Sequence, residues 1–219
     1  MALDHSTHES PLLKAYDPEI FDQLNDFPEA KLKLRESTLA RDALGSVICK
    51  YGFEDVIAVN LLHKHFDIGA DEIVLRRFES DRHATMRPCR RVEVADTAVP
   101  YLWAFADGRD GRGWYPLEFL HWPGGACADV ALLCFSDGML EELGEEVIAS
   151  GMADTFGIAG LFSRHSFVLG SGTTLLETTD EATRTLDLRV VTQETLSSSA
   201  DTTQTLWIYS TTDQTEDAS

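Results

Sequence analysis

The second half of this 219-residue chain contains no lysine at all. Residues 111–219 hold 4 Lys+Arg against 17 Asp+Glu, while residues 1–110 hold 14 against 20, and the formal charge is −19. A surface so short of cations repels a phosphate backbone and an anionic bilayer, so neither nucleic acid nor membrane is expected as a partner. Long apolar runs are missing too: no stretch of about 18 apolar residues is there to span a bilayer. The N-terminus, MALDHSTHESPLLKAYD, has no basic segment followed by an apolar one, so no secretory leader is read there. The cysteines Cys49, Cys89, Cys127 and Cys134 form no CxxC pair, which argues against a structural zinc cluster and for dispersed reduced thiols. Together these absences point to a cytoplasmic location.

Two catalytic signatures are also absent. GSGTT at Gly170–Thr174 lacks the lysine and the following helix of a phosphate-binding loop. No GxSxG nucleophile elbow occurs. Nicotinamide redox chemistry and serine-hydrolase chemistry are therefore disfavoured.

What is present is a 43% apolar chain, enough for a core. The expected layout is one domain over residues 16–210, between a loosely ordered N-terminus (1–15) and a disordered acidic tail (211–219). The stretch Val56–Phe78, VIAVNLLHKHFDIGADEIVLRRF, organises the reading. Read as extended chain, Val56–Phe66 puts Val59, Leu61, His63 and His65 on one face. Asp67–Asp71 supplies turn chemistry and Ile73–Leu75 resumes a β-rich run, so a hairpin is expected. Two imidazoles at i and i+2 suit a divalent metal ion, because each neutral ring offers a lone pair. A carboxylate would complete the set: Glu72, the nearest in sequence, or Glu118 or Glu177, with His121 as a further candidate. Without metal, one imidazole transfers a proton while a carboxylate orients it. The plainer alternative is a pair of half-buried structural histidines.

From Arg76 to Arg91 lie six arginines opposed only by Glu79 and Asp81. The segment Ser80–Arg91 reads as a loop or edge. Arg76 and Arg87 are candidates to hold a ligand's carboxylate or phosphate, since guanidinium offers a planar donor fork; the alternative is a solvated cluster paired with the acidic surface. Aromatic strands follow: Val99–Phe105, with Trp103, and Trp114–His121, separated by the loop Asp107–Gly113. Strict alternation in the second places Tyr115, Leu117, Phe119 and His121 on one face, and Trp114, Pro116, Glu118 and Leu120 on the other. Trp103, Tyr115 and His121 are candidate lining for a small-molecule pocket.

Elsewhere, Asp17-Pro18-Glu19 opens a short helix, with Pro28 beyond its end. A longer helix spans about Ser37–Tyr51 on the stripe Leu44, Val47, Ile48, Tyr51, capped by Gly52. Asp137 caps another, about Gly138–Ser150, on the stripe Leu140, Leu143, Val147, Ile148. Val92–Val94, Ala128–Phe135, Phe156–Phe162, Phe167–Leu169, Thr174–Thr178, Thr185–Thr192 and Gln204–Tyr209 read as strands, with a polar loop at Ser197–Asp201. The fold expected is α+β: a mainly antiparallel, curved or barrel-like sheet with two or three flanking helices. Its exposed edge strands would let two copies pair as a homodimer.

Three segments, Leu61–Ile68 (LLHKHFDI), Pro116–Phe119 (PLEF) and Leu175–Thr179 (LLETT), carry a resemblance. On them the chain is similar to a group of fungal cytosolic proteins to which no activity is attached. The resemblance implies a fungal cytosolic protein and groups His63, His65, Glu118 and Glu177. Two functions are carried forward. One is an enzyme of isomerase, cyclase, lyase or hydrolase type, using His63, His65 and Glu118 on a small organic molecule, with no cofactor or one divalent metal ion (His63, His65, Glu72). Arg76, Arg87, Trp103, Tyr115, His121 and Glu177 would then contact the substrate. The other is a non-catalytic ligand-binding or protein-interaction module whose histidines are structural.

Overall fold

A computed structural model describes residues 10–35, 37–122, 135–161, 167, 173–192, 194 and 203–210. Five helical segments and one nine-stranded sheet are described. The helices are α1 (Pro18–Asp22), α2 (Phe27–Leu34), α3 (Thr38–Lys50), α4 (Arg91–Val94) and α5 (Asp137–Ala149). The strands are β1 (Ile57–Leu61), β2 (Glu72–Ser80), β3 (His83–Arg90), β4 (Ala98–Gly108), β5 (Gly111–His121), β6 (Phe156–Gly160), β7 (Thr173–Asp180), β8 (Thr185–Thr192) and β9 (Leu206–Trp207). Their order is β7-β8-β3-β2-β5-β4-β6-β1-β9. The protein is thus a mixed α/β chain built on a curled half-barrel. The sheet is mixed: β2 and β5 run parallel and the other neighbours antiparallel. The helices do not form a distinct flanking layer.

Local chemistry accounts for the helices. Asp17 accepts a hydrogen bond from the Glu19 amide, and Pro18 occupies the first turn, where no N–H is needed. Pro28 lies beyond the end of α1, as expected, and there occupies the first turn of α2, where Asp26 accepts from the Glu29 amide at 3.0 Å. On α3, Leu44, Val47 and Ile48 are buried, and Gly52 takes φ 73° just past the end. On α5, Met139, Leu140, Leu143, Gly144 and Val147 are buried, whereas Ile148, expected in the stripe, is exposed. Val92–Val94 is helix α4 rather than a strand.

The chain between β1 and β2 is not a hairpin. β1 pairs with β6 and β9, whereas β2 pairs with β3 and β5. β1 also ends at Leu61, short of both histidines. Residues 62–71 therefore cross the sheet, since β1 stands eighth in the strand order and β2 fourth. The Ser80–Arg91 segment is strand β3, in a hairpin with β2. Its Pro88 is tolerated because β8 pairs only with His83–Met86. The Asp107–Gly113 loop tightens to a turn at Arg109-Asp110, with Gly111 at φ 85°. Residues 10–15, expected to be loosely ordered, are tied down: the Trp114 amide donates to Leu12 O at 2.7 Å, and the Lys14 amide to Trp114 O at 2.9 Å.

The expected strands at Phe156–Phe162 and Gln204–Tyr209 are shorter, at Phe156–Gly160 and Leu206–Trp207. The strand expected at Ala128–Phe135 falls outside the described residues except Phe135, that at Phe167–Leu169 except Phe167, and the Ser197–Asp201 loop wholly so.

Two large apolar clusters divide the sheet, with a small third one of Ile73, Leu75, Val94 and Phe119 beside α4. On one face α3 and α5 pack over Ile57, Val59, Leu61, Trp103, Phe105, Trp114, Phe156 and Ile158. On the other, α1 covers one end, and Val74, Met86, Tyr101, Leu117, Leu120 and Leu188 meet inside the curl. A curl is required by the contacts. β7 and β1 stand first and eighth in the order, a separation of roughly 34 Å in a flat sheet at about 4.8 Å per strand. Yet His65, four residues past β1, lies within 3.0 Å of Thr179 on β7. Arg184, in the β7–β8 turn, clasps the Glu72 carboxylate at the start of β2 at 2.7 and 3.0 Å and donates to Asp67 O on the crossing segment at 3.3 Å. No described helix is long and apolar enough to cross a membrane.

Candidate metal centre

The histidines sit on the crossing segment, where the backbone is held from both sides. The Leu62 amide donates to Thr155 O at 2.8 Å and the Lys64 amide to Asn25 O at 2.9 Å. With Lys64 pinned outward to Asp67, the side chains at 63 and 65 turn the other way, into the mouth of the curl. Their rings stand 4.6 Å apart at 70°, and Nε2 of one lies 3.1 Å from Nε2 of the other.

Each Nδ1 is engaged elsewhere. His63 Nδ1 lies 2.9 Å from Leu61 O. A carbonyl can only accept, so the proton of neutral His63 sits on Nδ1 and its Nε2 carries a lone pair. His65 Nδ1 lies 3.0 Å from Thr179 Oγ1. Burial drives both imidazoles toward the neutral form. His63 is held below its ordinary value, while His65, which also faces His63 and Arg76, is lowered to about 3.

Glu177, on β7, brings a carboxylate to the pair. Its Oε2 lies 3.6 Å from His65 Nε2 and 4.0 Å from His63 Nε2. His63, His65 and Glu177 are the group of described residues that could hold a metal ion. A triangle with sides of 3.1, 3.6 and 4.0 Å has its centre about 2.1 Å from each corner, within the range of zinc–nitrogen and zinc–oxygen bonds (about 2.0–2.2 Å). Two imidazoles and one carboxylate, with both Nδ1 atoms held by oxygen, form a donor set suited to zinc or iron(II). The side chains of His63, His65 and Glu177 are 8%, 15% and 27% exposed, so solvent reaches the centre from the Glu177 side.

Behind the triad lies a second group. Glu118 is buried and accepts a hydrogen bond from the Tyr101 hydroxyl. Burial raises its carboxyl above the ordinary value, with opposing help to the anion from Arg76, Tyr101 and His63. Burial likewise raises Glu177, against Arg76. Two bulges produce this arrangement. β4 and β5 slip register between Pro100 and Leu102 and between Leu102 and Trp103, leaving Tyr101 and Leu117 as extra residues. The slip breaks the expected alternation: Tyr115 and Leu117 face the interior, and so do Glu118 and Leu120, while Trp114 lies under the helices. Bulges that re-aim a side chain in this way are common beside functional sites.

The structure brings together His63, His65, Glu118, Glu177 and Arg76 and leaves the other candidates apart. Glu72 is not beside the histidines; it is bound by Arg184 and by the Gly69 amide at 2.7 Å. Arg87 is exposed, because β3 turns Met86 inward. Trp103 packs on Phe135 under the helices, with ring centroids 5.3 Å apart. The Tyr115 hydroxyl is used by the β4–β5 turn, donating to Gly111 O at 2.5 Å. His121 ends β5 opposite Ala98. Two surface pockets are lined by other residues: a groove of about 540 Å³ at Tyr51, Gly138, Glu141, Glu142 and Glu145, and one of about 190 Å³ between α1 and β4. Tyr101, Met86 and Thr179 join the site without having been singled out in the sequence. Only the hydroxyl of Tyr101 within an apolar strand offered a hint.

No family model, curated protein or solved structure matches this chain.

Proposed function

We propose that the protein is an enzyme acting on a small organic molecule, with His63, His65 and Glu177 holding one divalent metal ion. One observation carries this reading: three donor atoms from two distant parts of the chain converge on a point at metal-bond distance from each. Neutral histidines favour it further, since a metal need not displace protons from them. The metal would polarise a carbonyl or a bound water. Glu118, kept toward its protonated form and steadied by Tyr101, is the adjacent group able to hand on a proton. Hydrolysis, isomerisation, cyclisation and elimination all use that pairing of Lewis acid and proton donor. On the three segments that contain these residues, we also assign the chain to the fungal cytosolic group it resembles.

The contact at 3.1 Å supports a second reading. His65 can donate Nε2–H to His63 Nε2 while the Thr179 hydroxyl donates to His65 Nδ1. That network satisfies both rings without metal, as in a ligand-binding module with structural histidines.

Elemental mass spectrometry of the purified, untagged protein, beside the His63→Gln/His65→Gln variant, separates the two. Near-stoichiometric transition metal that disappears in a folded variant is the expected result. Metal-free protein, with the variant destabilised by about 1–3 kcal/mol, would favour the structural pair.

A further inference from the structure

Arg76 stands in the interior of the curl with no direct ion-pair contact to a described carboxylate. Its guanidinium carbon lies 4.4 Å over the Tyr101 ring, and Nε and Nη2 each lie 3.3 Å from the Met86 sulfur. A thioether is a weak acceptor for a cation's N–H groups. No carboxylate of the described residues forms an ion pair with it, although Glu118 and Glu177 are both close enough for their ionisation to feel its charge. The reason is Tyr101, which takes the guanidinium on its face and Glu118 on its hydroxyl, and so holds the two apart. Arg184, by contrast, binds the Glu72 carboxylate directly with both ends of its guanidinium. Arg76 is also half-buried, where an unpaired charge is costly.

We propose that Arg76 is the receptor for the carboxylate of a small organic acid, the substrate class of the His63/His65/Glu177 centre. The acid's carboxylate meets the guanidinium fork, and its neighbouring oxygen is directed to the metal. The cluster's charges fit. A divalent metal with Glu177 leaves one positive charge, and Arg76 adds a second. His63, His65 and Tyr101 contribute none. Even an ionised Glu118 leaves a surplus that one carboxylate neutralises. The charge balance and the placing of the acid's second oxygen rest on the proposed metal. The free guanidinium fork of Arg76, held on Tyr101 and Met86, does not.

Pyruvate serves as the probe, with acetamide as a neutral counterpart, in calorimetric titrations of the full chain with and without one equivalent of Zn²⁺. Wild type, Arg76→Gln and Arg76→Lys are compared, with circular dichroism confirming the fold and elemental analysis the zinc content. The expected result is pyruvate binding that weakens at least tenfold in Arg76→Gln, equivalent to about 1.4 kcal/mol, with zinc content unchanged and acetamide silent. Arg76→Lys, which keeps the charge and loses the fork, should fall between. Arg76-dependent binding in a protein that takes up no zinc would uphold the subsite and remove the metal. Equal affinity in wild type and both variants, or no binding by zinc-loaded wild type up to about 10 mM, would overturn the inference while leaving the metal reading intact.

Discussion

The two faces of the sheet follow different rules. Under α3 and α5 lies a large, closely fitted apolar cluster. The Phe105 ring fills a notch at Gly144, Tyr209 fills one at Gly45, and Trp114 donates its indole N–H to Leu140 O at 2.9 Å. Inside the curl β2, β4, β5 and β7 carry Arg76, Tyr101, Glu118 and Glu177 among Val74, Met86, Leu120 and Leu188. One face is organised for stability. The other keeps ionisable groups in poorly solvated surroundings, which costs stability and is typical of sites that do chemistry.

The contrast can be broken most severely on the dry face. Trp114→Ala removes a fully buried ring and its hydrogen bond, and should cost about 3–5 kcal/mol in urea unfolding while leaving the histidine geometry in place. Inside the curl a smaller and opposite result is expected. Replacing Arg76 and Glu118 together by Met should leave stability unchanged or raise it by about 1–3 kcal/mol, while abolishing ligand binding.

Next comes pH. His65 is lowered in the folded state, so below about pH 6.5 the unfolded chain takes up a proton that the folded chain refuses. Stability contributed by neutral His65 is therefore present above pH 6.5 and lost as pH falls, by about 2 kcal/mol between pH 6.5 and 5. Glu118 and Glu177 are raised and act in the opposite sense, losing stability as pH rises above about 4.5. The difference between wild type and His65→Gln cancels the carboxyl contribution and should show the histidine slope alone. Least of all, Arg184→Gln should cost under about 1 kcal/mol, because the guanidinium is 44% exposed, but it should speed amide exchange in β7.

Much of the local structure was legible. The Asp17 cap, the α3 stripe and the β8 alternation follow from residue spacing and survive in the fold. The i, i+2 spacing brought His63 and His65 together even though β1 stops before them, because a crossing segment pinned at Leu62 and Lys64 still alternates. The partner was not legible from spacing. Glu72 is near in sequence, but Arg184 claims it; Glu177 is 112 residues from His65 in the sequence and arrives only because the sheet curls. Strict alternation puts Glu118 on the face opposite Tyr115 and Leu117, and the two bulges interrupt that alternation. Bulges and curl are long-range outcomes of packing, and periodicity within one strand does not encode them.

The central claim is that the two distant edges of the sheet meet in a metal centre. A Co²⁺ titration of the metal-stripped protein, followed by visible absorption, tests it most directly. One equivalent should saturate a ligand-field band in wild type, with the band lost in His63→Gln/His65→Gln and weakened in Glu177→Gln. No band in wild type, or an equal band in the double variant, would contradict the account.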